Sequence, residues 1–466
     1  MQRYLYKILI LFLAIYIFNA CLGKEEEILF SDDPNFVSLK FDANDSIPGL
    51  EKAVFTVEFD EDLQDSIIVN LDSLPFQTRI DSIGPTFTFR SSAYAYLIAL
   101  DSLETGFDTI AITGKDTVNF EKVVSVTNFA ANREVSATYH IKVNVHQVEP
   151  ELYVWKRAVD AIYEHGGNVQ QAVFFKDRFL FYVSTGLTNY LYTSDNAIDW
   201  FPMAINGLPL TDNFTTIKSF NDKLYLLHQN GSIYNSEDGE NWTATDPGVS
   251  GYAARNLLFV LDNKLWALFQ QAADGKLYYA FSENGDDWQL TEAASTMFPV
   301  VDFASLNFAS RVQKPKALIL GGRNNAGTLL NKTWSVEKNV NGVYKWVDFT
   351  ADKTDAQPYA GAAVIPYDNK LLRFGGMNDD DYVIGNGLAE SVDEGLTWRA
   401  TDSLYNTIYD TEREISYQKR AFQSVILDEE NHFIYLIGGK GRNDAGVQFY
   451  SDVWIGKLNR MYFPEK

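Results

Sequence analysis

The first third of the chain alternates apolar and polar residues in short runs that are separated by Asp, Ser and Gly. Runs such as "KAVFTVEF", "SIIVNL" and "YHIKVNVHQ" have the two-residue period of half-buried antiparallel strands. No helical period persists in this part of the sequence. The pattern therefore predicts an all-β fold that begins with an immunoglobulin-like β-sandwich over residues 31–148, followed by a short linker, "QVEPE".

From residue 152 onward the pattern repeats itself. The segments "FKDRFLFY", "FNDKLYLL", "LDNKLWAL" and "YDNKLLRF" share an apolar residue, a polar pair, a basic residue and an apolar run. A degenerate copy stands near "QKPKALIL", and a sixth copy is "LDEENHFIYL". Repeats of about 40 to 60 residues are typical of propeller blades, so residues 152–466 are predicted to form a six-bladed β-propeller.

A second motif ends in tryptophan and predicts the hairpin between the third and fourth strands of a blade. Its copies are "TSDNAIDW", "NSEDGENW", "FSENGDDW" and "SVDEGLTW", with an expanded version in "SVEKNVNGVYKW". The fourth copy resembles the Asp-box of sialidases. In it we expect Ser391 and Asp393 to cap the turn, Gly395 to permit it and Trp398 to pack between blades.

The sixth block has no such hairpin, so its outer strand must come from elsewhere. The segment "LYVWKRAV", with Trp155, follows the linker and resembles an outer strand. Closing the ring with the first strand removes an open sheet edge, and we predict this arrangement. The C-terminal segment "RMYFPEK" is the alternative.

The N-terminus has the order of a bacterial lipoprotein signal peptide. Arg3 and Lys7 precede the apolar run "ILILFLAIYIF", and "NAC" follows with Cys21, the single cysteine of the chain. Phe18 departs from the usual lipobox leucine. The run of about 11 residues is short of the roughly 20 that a spanning helix needs, which disfavours an uncleaved anchor. We predict a signal peptide over 1–20, lipidation at Cys21 and a tether over 21–30.

The tether and the net charge bear on location and partners. Lys24 is followed by Glu25, Glu26 and Glu27, which resembles the signal that sends Bacteroidetes lipoproteins to the outer face of the outer membrane. A net charge of −23 disfavours nucleic acids and anionic lipid headgroups as partners, because phosphates would be repelled. We therefore expect a protein on the cell exterior that touches the membrane only through its lipid anchor.

Three of the repeats carry a double glycine at the end of a strand, in "LILGGRNNAG", "LLRFGGMNDDD" and "IYLIGGKGRND". This resembles the kelch repeat of galactose-oxidase-type propellers, where the glycines let neighbouring blades approach closely. The whole chain resembles Bacteroidetes surface lipoproteins of unknown function with an N-terminal sandwich and a kelch-like C-terminal propeller. That resemblance implies an architecture and no known reaction.

Two kinds of propeller chemistry are disfavoured by the residues. The copper site of galactose oxidase requires a tyrosine crosslinked to cysteine, and the mature chain would have no cysteine. Metal-ligand spacing is absent among the histidines, which are His140, His146, His165, His228 and His432. Sialidases need an arginine triad and an Arg-Ile-Pro motif in the first blade, and that motif is missing. No catalytic residue is assigned, and a kelch-type epimerase, lyase or glycosidase stays open as the alternative function.

Binding of a glycan or of a protein partner is the favoured function. Loops that open on one face lengthen in blades five and six, where they are "GGMNDDDYVIGNG", "GGKGRNDAGVQF" and the connection "DSLYNTIYDTEREISYQKR". These loops are rich in Arg, Asp, Asn and Tyr, which predicts a polar pocket over blades four to six. The residues expected to bind are Arg323, Tyr359, Asp380, Arg420 and Arg442, with Arg255 and His165 across the channel. No cofactor is predicted. Ca²⁺ at Asp379, Asp380 and Asp381 is a minor alternative, because "MNDDDY" lacks the Gly and distal Glu of an EF-hand loop.

Overall fold

The computed structural model describes residues 29–44, 47, 49–114, 117–209, 213–350, 357–384, 387–401, 407–443 and 446–462. The predicted signal peptide, Cys21 and the acidic run from Lys24 to Glu27 lie outside the described residues. The chain divides into two compact units, Met1–Pro150 and Glu151–Lys466. No helix within the described ranges is long and apolar enough to cross a membrane.

The first unit is a β-sandwich with two sheets of unequal size. Its strands are β1 (Phe36–Phe41), β2 (Phe55–Asp60), β3 (Asp65–Asn70), β4 (Pro85–Phe89), β5 (Tyr94–Leu100), β6 (Phe107–Ala111), β7 (Val123–Phe129) and β8 (Ser136–Lys142). The small sheet is the antiparallel pair β1–β4, and the large one has the order β2-β3-β8-β7-β5-β6. A 3-10 helix, Leu50–Lys52, joins β1 to β2. Leu39 and Phe41 of the small sheet pack against Ile68, Leu97 and Val126 of the large one.

The second unit is a ring of six sheets, each sheet a blade with its first strand at the centre. Blade one contains β10 (Val169–Phe175), β11 (Arg178–Ser184), β12 (Asn189–Ser194) and β13 (Phe201–Met203). Blade two contains β14 (Phe214–Phe220), β15 (Lys223–His228), β16 (Ile233–Ser236) and β17 (Thr243–Thr245). Blade three contains β18 (Tyr252–Leu261), β19 (Lys264–Gln271), β20 (Leu277–Ser282) and β21 (Trp288–Ala293).

The remaining blades follow the same plan, with one departure in the last. Blade four contains β22 (Ala304–Ala309), β23 (Pro315–Leu320), β24 (Thr333–Lys338) and β25 (Tyr344–Asp348). Blade five contains β26 (Ala360–Tyr367), β27 (Lys370–Met377), β28 (Leu388–Ser391) and β29 (Arg399–Ala400). Blade six contains β32 (Ser424–Asp428), β33 (Phe433–Asn443), β34 (Gly446–Leu458) and, as its fourth strand, β9 (Tyr153–Val159). The predicted sandwich and six-bladed propeller are confirmed.

Burial follows from the place of each strand in its blade. The second strand of blade one, "RFLFYVS", is buried at every position after its first residue, because both faces of a blade pack against neighbours. The outer strand, "FPM", is exposed throughout. Continuous apolar runs that are buried on both faces therefore lie in the middle of a blade, whereas even the apolar outer strand is exposed at the rim.

The first propeller strand closes the ring, as predicted. β9 pairs antiparallel with β34, and Trp155 lies opposite Gly456. A side chain at position 456 would overlap the Trp155 ring, since its Cβ would lie 2.3 Å from Trp155 Cε3. The alternative segment begins in a 3-10 helix, Asn459–Tyr462, rather than in a strand.

One segment that the sequence analysis assigned to the binding loops has a different place. Two short strands, β30 (Tyr409–Asp410) and β31 (Ile415–Ser416), extend blade six beyond β9. The Asp410 carboxylate accepts a hydrogen bond from the Arg157 N–H at 2.9 Å. This part of "DSLYNTIYDTEREISYQKR" therefore lies at the outer edge of blade six and not over the channel.

Candidate functional site

The face predicted to bind carries an ionic network that joins three blades. Arg323, in the loop between β23 and β24, lies 2.7 Å from the Asp379 carboxylate and 3.6 Å from that of Asp302. Asp379 belongs to the β27–β28 loop of blade five, and Asp302 immediately precedes the inner strand of blade four. A single guanidinium thus connects the loops of blades four and five.

Blade six contacts the same blade-five loop from the other side. Lys440 Nζ lies 3.4 Å from the Asp381 carboxylate. Arg442 donates a hydrogen bond of 3.1 Å to the Asp380 carbonyl, and its guanidinium lies 5.3 Å from the centre of the Tyr382 ring. We call the eight residues concerned the loop-face network: Asp302, Arg323, Asp379, Asp380, Asp381, Tyr382, Lys440 and Arg442.

Backbone hydrogen bonds between blades hold the base of this network. Asp302, Gly361 and Phe422 occupy the same place, at the start of the inner strands of blades four, five and six, and all three have positive φ. The Gly361 N–H donates to the Asp302 carbonyl at 2.7 Å, and the Phe422 N–H donates to the Gly361 carbonyl at 2.6 Å. The loops that form the network are therefore anchored to backbone that is hydrogen-bonded across blades four, five and six.

Asp302 differs electrostatically from the other carboxylates of the network. Burial raises its pKa above the ordinary value, and the nearby charges of Arg323 and Lys440 oppose that effect. A carboxyl group in this setting holds a proton more readily than an exposed aspartate does.

Arg420 is a correction to the predicted site. Its side chain is 2% exposed and forms a two-point ion pair with the buried Asp452, in which Nη2 lies 3.2 Å from Oδ2. The rings of Tyr417 and Tyr450 lie 4.2 and 3.8 Å from its guanidinium carbon. Removing one partner of such a pair costs about 3–5 kcal/mol, because the other charge is left buried. Arg420 is therefore a structural residue beneath the loop face and is not available to a ligand.

Tyr359 is a second correction, since only 4% of it is exposed. Its ring fills the space left by two of the double glycines: a Cβ at Gly321 would lie 2.6 Å from Tyr359 Cε2, and one at Gly376 would lie 3.1 Å from Tyr359 Cδ2. The glycine pairs let this ring pack between blades four and five, so Tyr359 stabilises the blade interface.

The structure does not bring His165 and Arg255 into the network. His165 belongs to blade one, where its Nε2 lies 2.8 Å from the Tyr192 hydroxyl and its ring stacks against Tyr163 and Tyr190. Arg255 is exposed on β18 of blade three, at an irregularity in the strand pairing. Of the seven residues predicted to bind, Arg323, Asp380 and Arg442 are brought together.

The three consecutive aspartates have partners other than a metal. Asp379 faces Arg323, Asp381 faces Lys440, and the Asp380 side chain is exposed. Within the described ranges, no group of three or more His, Cys, Asp or Glu residues is arranged to hold a metal ion.

The tryptophan hairpin of blade five, between β28 and β29, lies on the opposite face of the ring. The Gly395 N–H donates to Ser391 Oγ at 2.9 Å, and the Thr397 N–H donates to Asp393 Oδ1 at 2.8 Å. Glu394, at the tip, accepts hydrogen bonds from the Arg311 N–H at 2.6 Å and from Lys316 at 2.9 Å. These contacts fasten the hairpin of blade five to the first turn of blade four.

A cavity of about 530 Å³ also lies on that opposite face, among the first turns of blades four, five and six. Arg311, Asp368, Glu394 and His432 contribute to its lining. Sequence reasoning missed it because these turns are copies of the strand–turn–strand repeat, so their sequences do not distinguish them from the turns of the other blades.

The comparisons with known proteins come from family models and from solved structures. Residues 149–466 match the family model described as the DUF6242 beta propeller domain, and residues 37–143 match the DUF6242 N-terminal domain, a domain of unknown function. The chain belongs to the DUF6242 family. Among curated proteins there is no match to it.

The DUF6242 chain is similar to solved structures at very low identity. YjhT is 12% identical, covers 63% of this chain and 96% of its own, and has a TM-score of 0.44. A luciferin-regenerating enzyme is 9% identical, with 66% and 95% covered and a TM-score of 0.39. A Bombyx mori GH32 beta-fructofuranosidase in complex with sucrose is 13% identical, with 49% and 58% covered and a TM-score of 0.30. None of these carries an argument about what a DUF6242 protein binds.

Sequence reasoning missed Asp302, Tyr382 and Lys440 in the DUF6242 loop-face network. A signal for Lys440 was present, because it follows a double glycine in "GGKGR" as Arg323 does in "GGRN". Asp302 has no comparable signal: the equivalent positions of blades five and six are Gly361 and Phe422, which share its backbone conformation and not its chemistry.

Proposed function

We propose that this DUF6242 protein is a lipid-anchored cell-surface protein whose propeller binds a glycan, without cleaving it, through the loop-face network over blades four to six. The observation that carries the proposal is Tyr382, whose side chain is 59% exposed beside Arg442 and the three aspartates. An aromatic ring with one open face suits the apolar face of a sugar. Charged and amide groups around it suit the hydroxyls.

The side chains of the loop-face network are already held in place, which supports a role in binding. Ion pairs and backbone hydrogen bonds already position Arg323, Lys440 and Arg442. A preorganised polar surface loses less entropy when it captures a ligand, which raises the affinity that a shallow site can reach.

The alternative function is a kelch-type carbohydrate-active enzyme, and one observation favours it. Asp302, with its raised pKa, lies beneath Arg323, and Arg323 also contacts the Asp379 carboxylate. A glycosidase uses two carboxyl groups, one of which has a raised pKa and donates a proton. This alternative requires turnover of a glycan that is lost in Asp302→Asn.

Attachment to the cell exterior through Cys21 is part of the same proposal. The order of charge, apolar run and cysteine at the N-terminus supports it, and so does the acidic run from Lys24 to Glu27. The net charge of −23 supports a role without nucleic acid.

A glycan array probed with the chain from Cys21 onward tests the binding proposal. Tyr382→Ala should weaken the best interaction about tenfold, since loss of one stacking contact removes on the order of 1.4 kcal/mol. Arg442→Met should weaken it by a similar factor. The matched control is Tyr94→Ala, in the sandwich, where the tyrosine is 49% exposed and lies outside the network.

Three outcomes would count against the proposal. If Tyr382→Ala and Tyr94→Ala bind equally well, the loop face is not the site. If no glycan binds and a surface protein is captured in a Tyr382-dependent manner, the partner is a protein. If a bound glycan is cleaved, rearranged or eliminated, the protein is an enzyme.

A further inference from the structure

Blade five carries an arginine at a position that is part of the apolar core in every other blade. Arg373 lies on β27, three residues after Lys370, and its side chain faces blade four. The equivalent residues of the other second strands are Phe181, Leu226, Ala267, Ile319 and Leu436, and each is at most 1% exposed. The sequence therefore places a permanent positive charge where the fold otherwise places a hydrocarbon.

The surroundings of Arg373 are aromatic and small. Its guanidinium carbon lies 4.6 Å from the centre of the Tyr359 ring and 5.3 Å from that of Trp398. Its neighbours on the adjacent strands are Val364 and Ala389. Cation–π contacts hold the guanidinium in place, and they leave its charge uncompensated.

Two hydrogen-bond donors in this place have no acceptor within the described part of the chain. They are Arg373 Nε and the Trp398 indole N–H, both buried. No ion pair to Arg373 occurs among the described residues either. Two buried cations of the propeller do have carboxylates: Arg420 pairs with Asp452 and Lys316 with Glu394.

Both residues line a pocket of about 180 Å³ whose described lining comes from blade five and the segment that leads into it. Room is left because neighbouring positions are small, at Gly375, Gly387 and Ala389. The described lining includes a second arginine, Arg399, which is paired with Glu390 at 2.7 Å, and it includes no carboxylate. The volume is many times the roughly 10–15 Å³ that holds one water, so the pocket has room for a small organic molecule.

The chemistry of the pocket selects an anion. Arg373 is half-buried, and because an arginine cannot lose its proton in a protein, an anion in the pocket would offset the cost of covering its charge. Every unmet polar group named above is a donor, and a planar carboxylate matches the edge of a guanidinium with two parallel hydrogen bonds. A water molecule would satisfy the donors and leave the charge without a partner.

We propose that the pocket formed by Arg373 and Trp398 is a binding site for a small carboxylate. The ligand is either a free organic acid or the carboxylate of a single acidic sugar. The site does not include Tyr382 or its neighbours, so it stands whether or not the loop face binds a glycan.

Thermal unfolding of the chain from Cys21 onward tests the proposal, with sodium acetate and sodium glucuronate as probes at constant ionic strength. A carboxylate that fits should raise Tm by several degrees over sodium chloride, and neutral acetamide and glucose should not. A response to glucuronate alone identifies an acidic sugar, and a response to acetate identifies the free acid. The Trp398 signal, taken as the fluorescence change that Trp398→Phe abolishes, should give the same affinity without unfolding the protein.

Three variants separate binding from folding. Arg373→Leu restores the residue type of the other blades, so it should fold with an equal or higher Tm and lose the response to carboxylate. Arg373→Lys keeps the charge and loses the planar pair of donors, so its affinity should fall at least tenfold. Arg255→Leu, at an exposed arginine of blade three, should keep the full response.

The proposal is overturned if neither carboxylate shifts Tm beyond the chloride control. It is also overturned if Arg373→Leu, folded as judged by its cooperative transition, responds as the unaltered protein does. A Tm shift without a change in Trp398 fluorescence would place the bound carboxylate elsewhere and would likewise refute it.

Discussion

At the scale of one residue, Lys218 shows how burial in the central channel changes the pKa of a charged side chain. It extends from the inner strand of blade two, and its Nζ donates a hydrogen bond of 2.7 Å to Ser305 Oγ on the inner strand of blade four. No carboxylate pairs with it among the described residues. Burial lowers its pKa to about 8.

The lowered pKa of Lys218 makes the free energy of unfolding depend on pH, and the direction of that dependence follows from the shift. Between pH 8 and the ordinary lysine value, the unfolded chain binds a proton that the folded chain has released, so stability rises with pH across that window. Below pH 8 both states are protonated, and the burial cost is fully present. Lys218→Met should therefore raise the free energy of unfolding at pH 7 by about 2 kcal/mol and flatten its slope between pH 8 and 9.5.

Urea denaturation at pH 7, 8 and 9.5 measures both effects. The matched control is Lys345→Met, at an exposed lysine of blade four, whose slope should equal that of the unaltered protein. An unchanged slope in Lys218→Met would mean that the channel leaves this amine as well solvated as a surface lysine.

The predicted site residues differ in burial, which the sequence does not show directly. Arg420 and Tyr359 are polar residues near lengthened loops, and they are buried because their partners come from distant segments, in Asp452 and in the glycine pairs. Arg323 follows one glycine pair directly, and Arg442 follows another after two residues, which places both on the loop face. The position of a residue relative to a strand end was predictable, and the identity of its partner was not.

At the scale of the element, the tryptophan hairpin of blade five allows a test of how much its packing against blade four stabilises the fold. Gly395 has a φ of +87°, and a Cβ there would lie 2.6 Å from Leu318 Cδ1 of blade four. Gly395→Ala should therefore cost both backbone strain and a steric clash, about 3 kcal/mol in total.

Gly342→Ala is its control, in the expanded hairpin of blade four. It has a φ of +79°, and the nearest atom to its Cβ would be Lys338 Cε at 3.9 Å, so only the strain of about 1 kcal/mol applies. Guanidinium chloride denaturation compares the two variants. Equal losses would show that the hairpin does not pack against blade four.

Elements that repeat were predictable, and elements that occur once were not. The strand–turn–strand copies and the tryptophan hairpins follow from periodicity, because each blade must bury the same two faces. The short strands β30 and β31 have no copy, and their pairing beside β9 depends on Asp410 meeting Arg157 across the closed ring. A contact of that kind exists only after the ring has formed.

At the scale of the whole molecule, the prediction concerns where the protein is displayed. Alanine at Lys24, Glu25, Glu26 and Glu27 should move it to the periplasmic leaflet, because the proposed export signal is lost while Cys21 remains. The fraction cleaved by protease on whole cells should fall severalfold.

Alanine at Glu429 and Glu430, an exposed acidic pair in a propeller turn, is the matched control and should leave surface cleavage unchanged. Full cleavage in the tether variant would refute the signal. Loss of cleavage in both variants would indicate a general effect of removing negative charge.

Ring closure has a consequence for the order in which the protein is made. β9 is the first propeller strand to be synthesised, and its partner in blade six is nearly the last, about 300 residues later. Pairing over such a sequence separation is slow, because the entropy cost of closing a long loop comes before any stabilising contact forms. The nascent propeller therefore carries two unsatisfied edges throughout its synthesis, and protection from self-association must come from other proteins until the chain is complete.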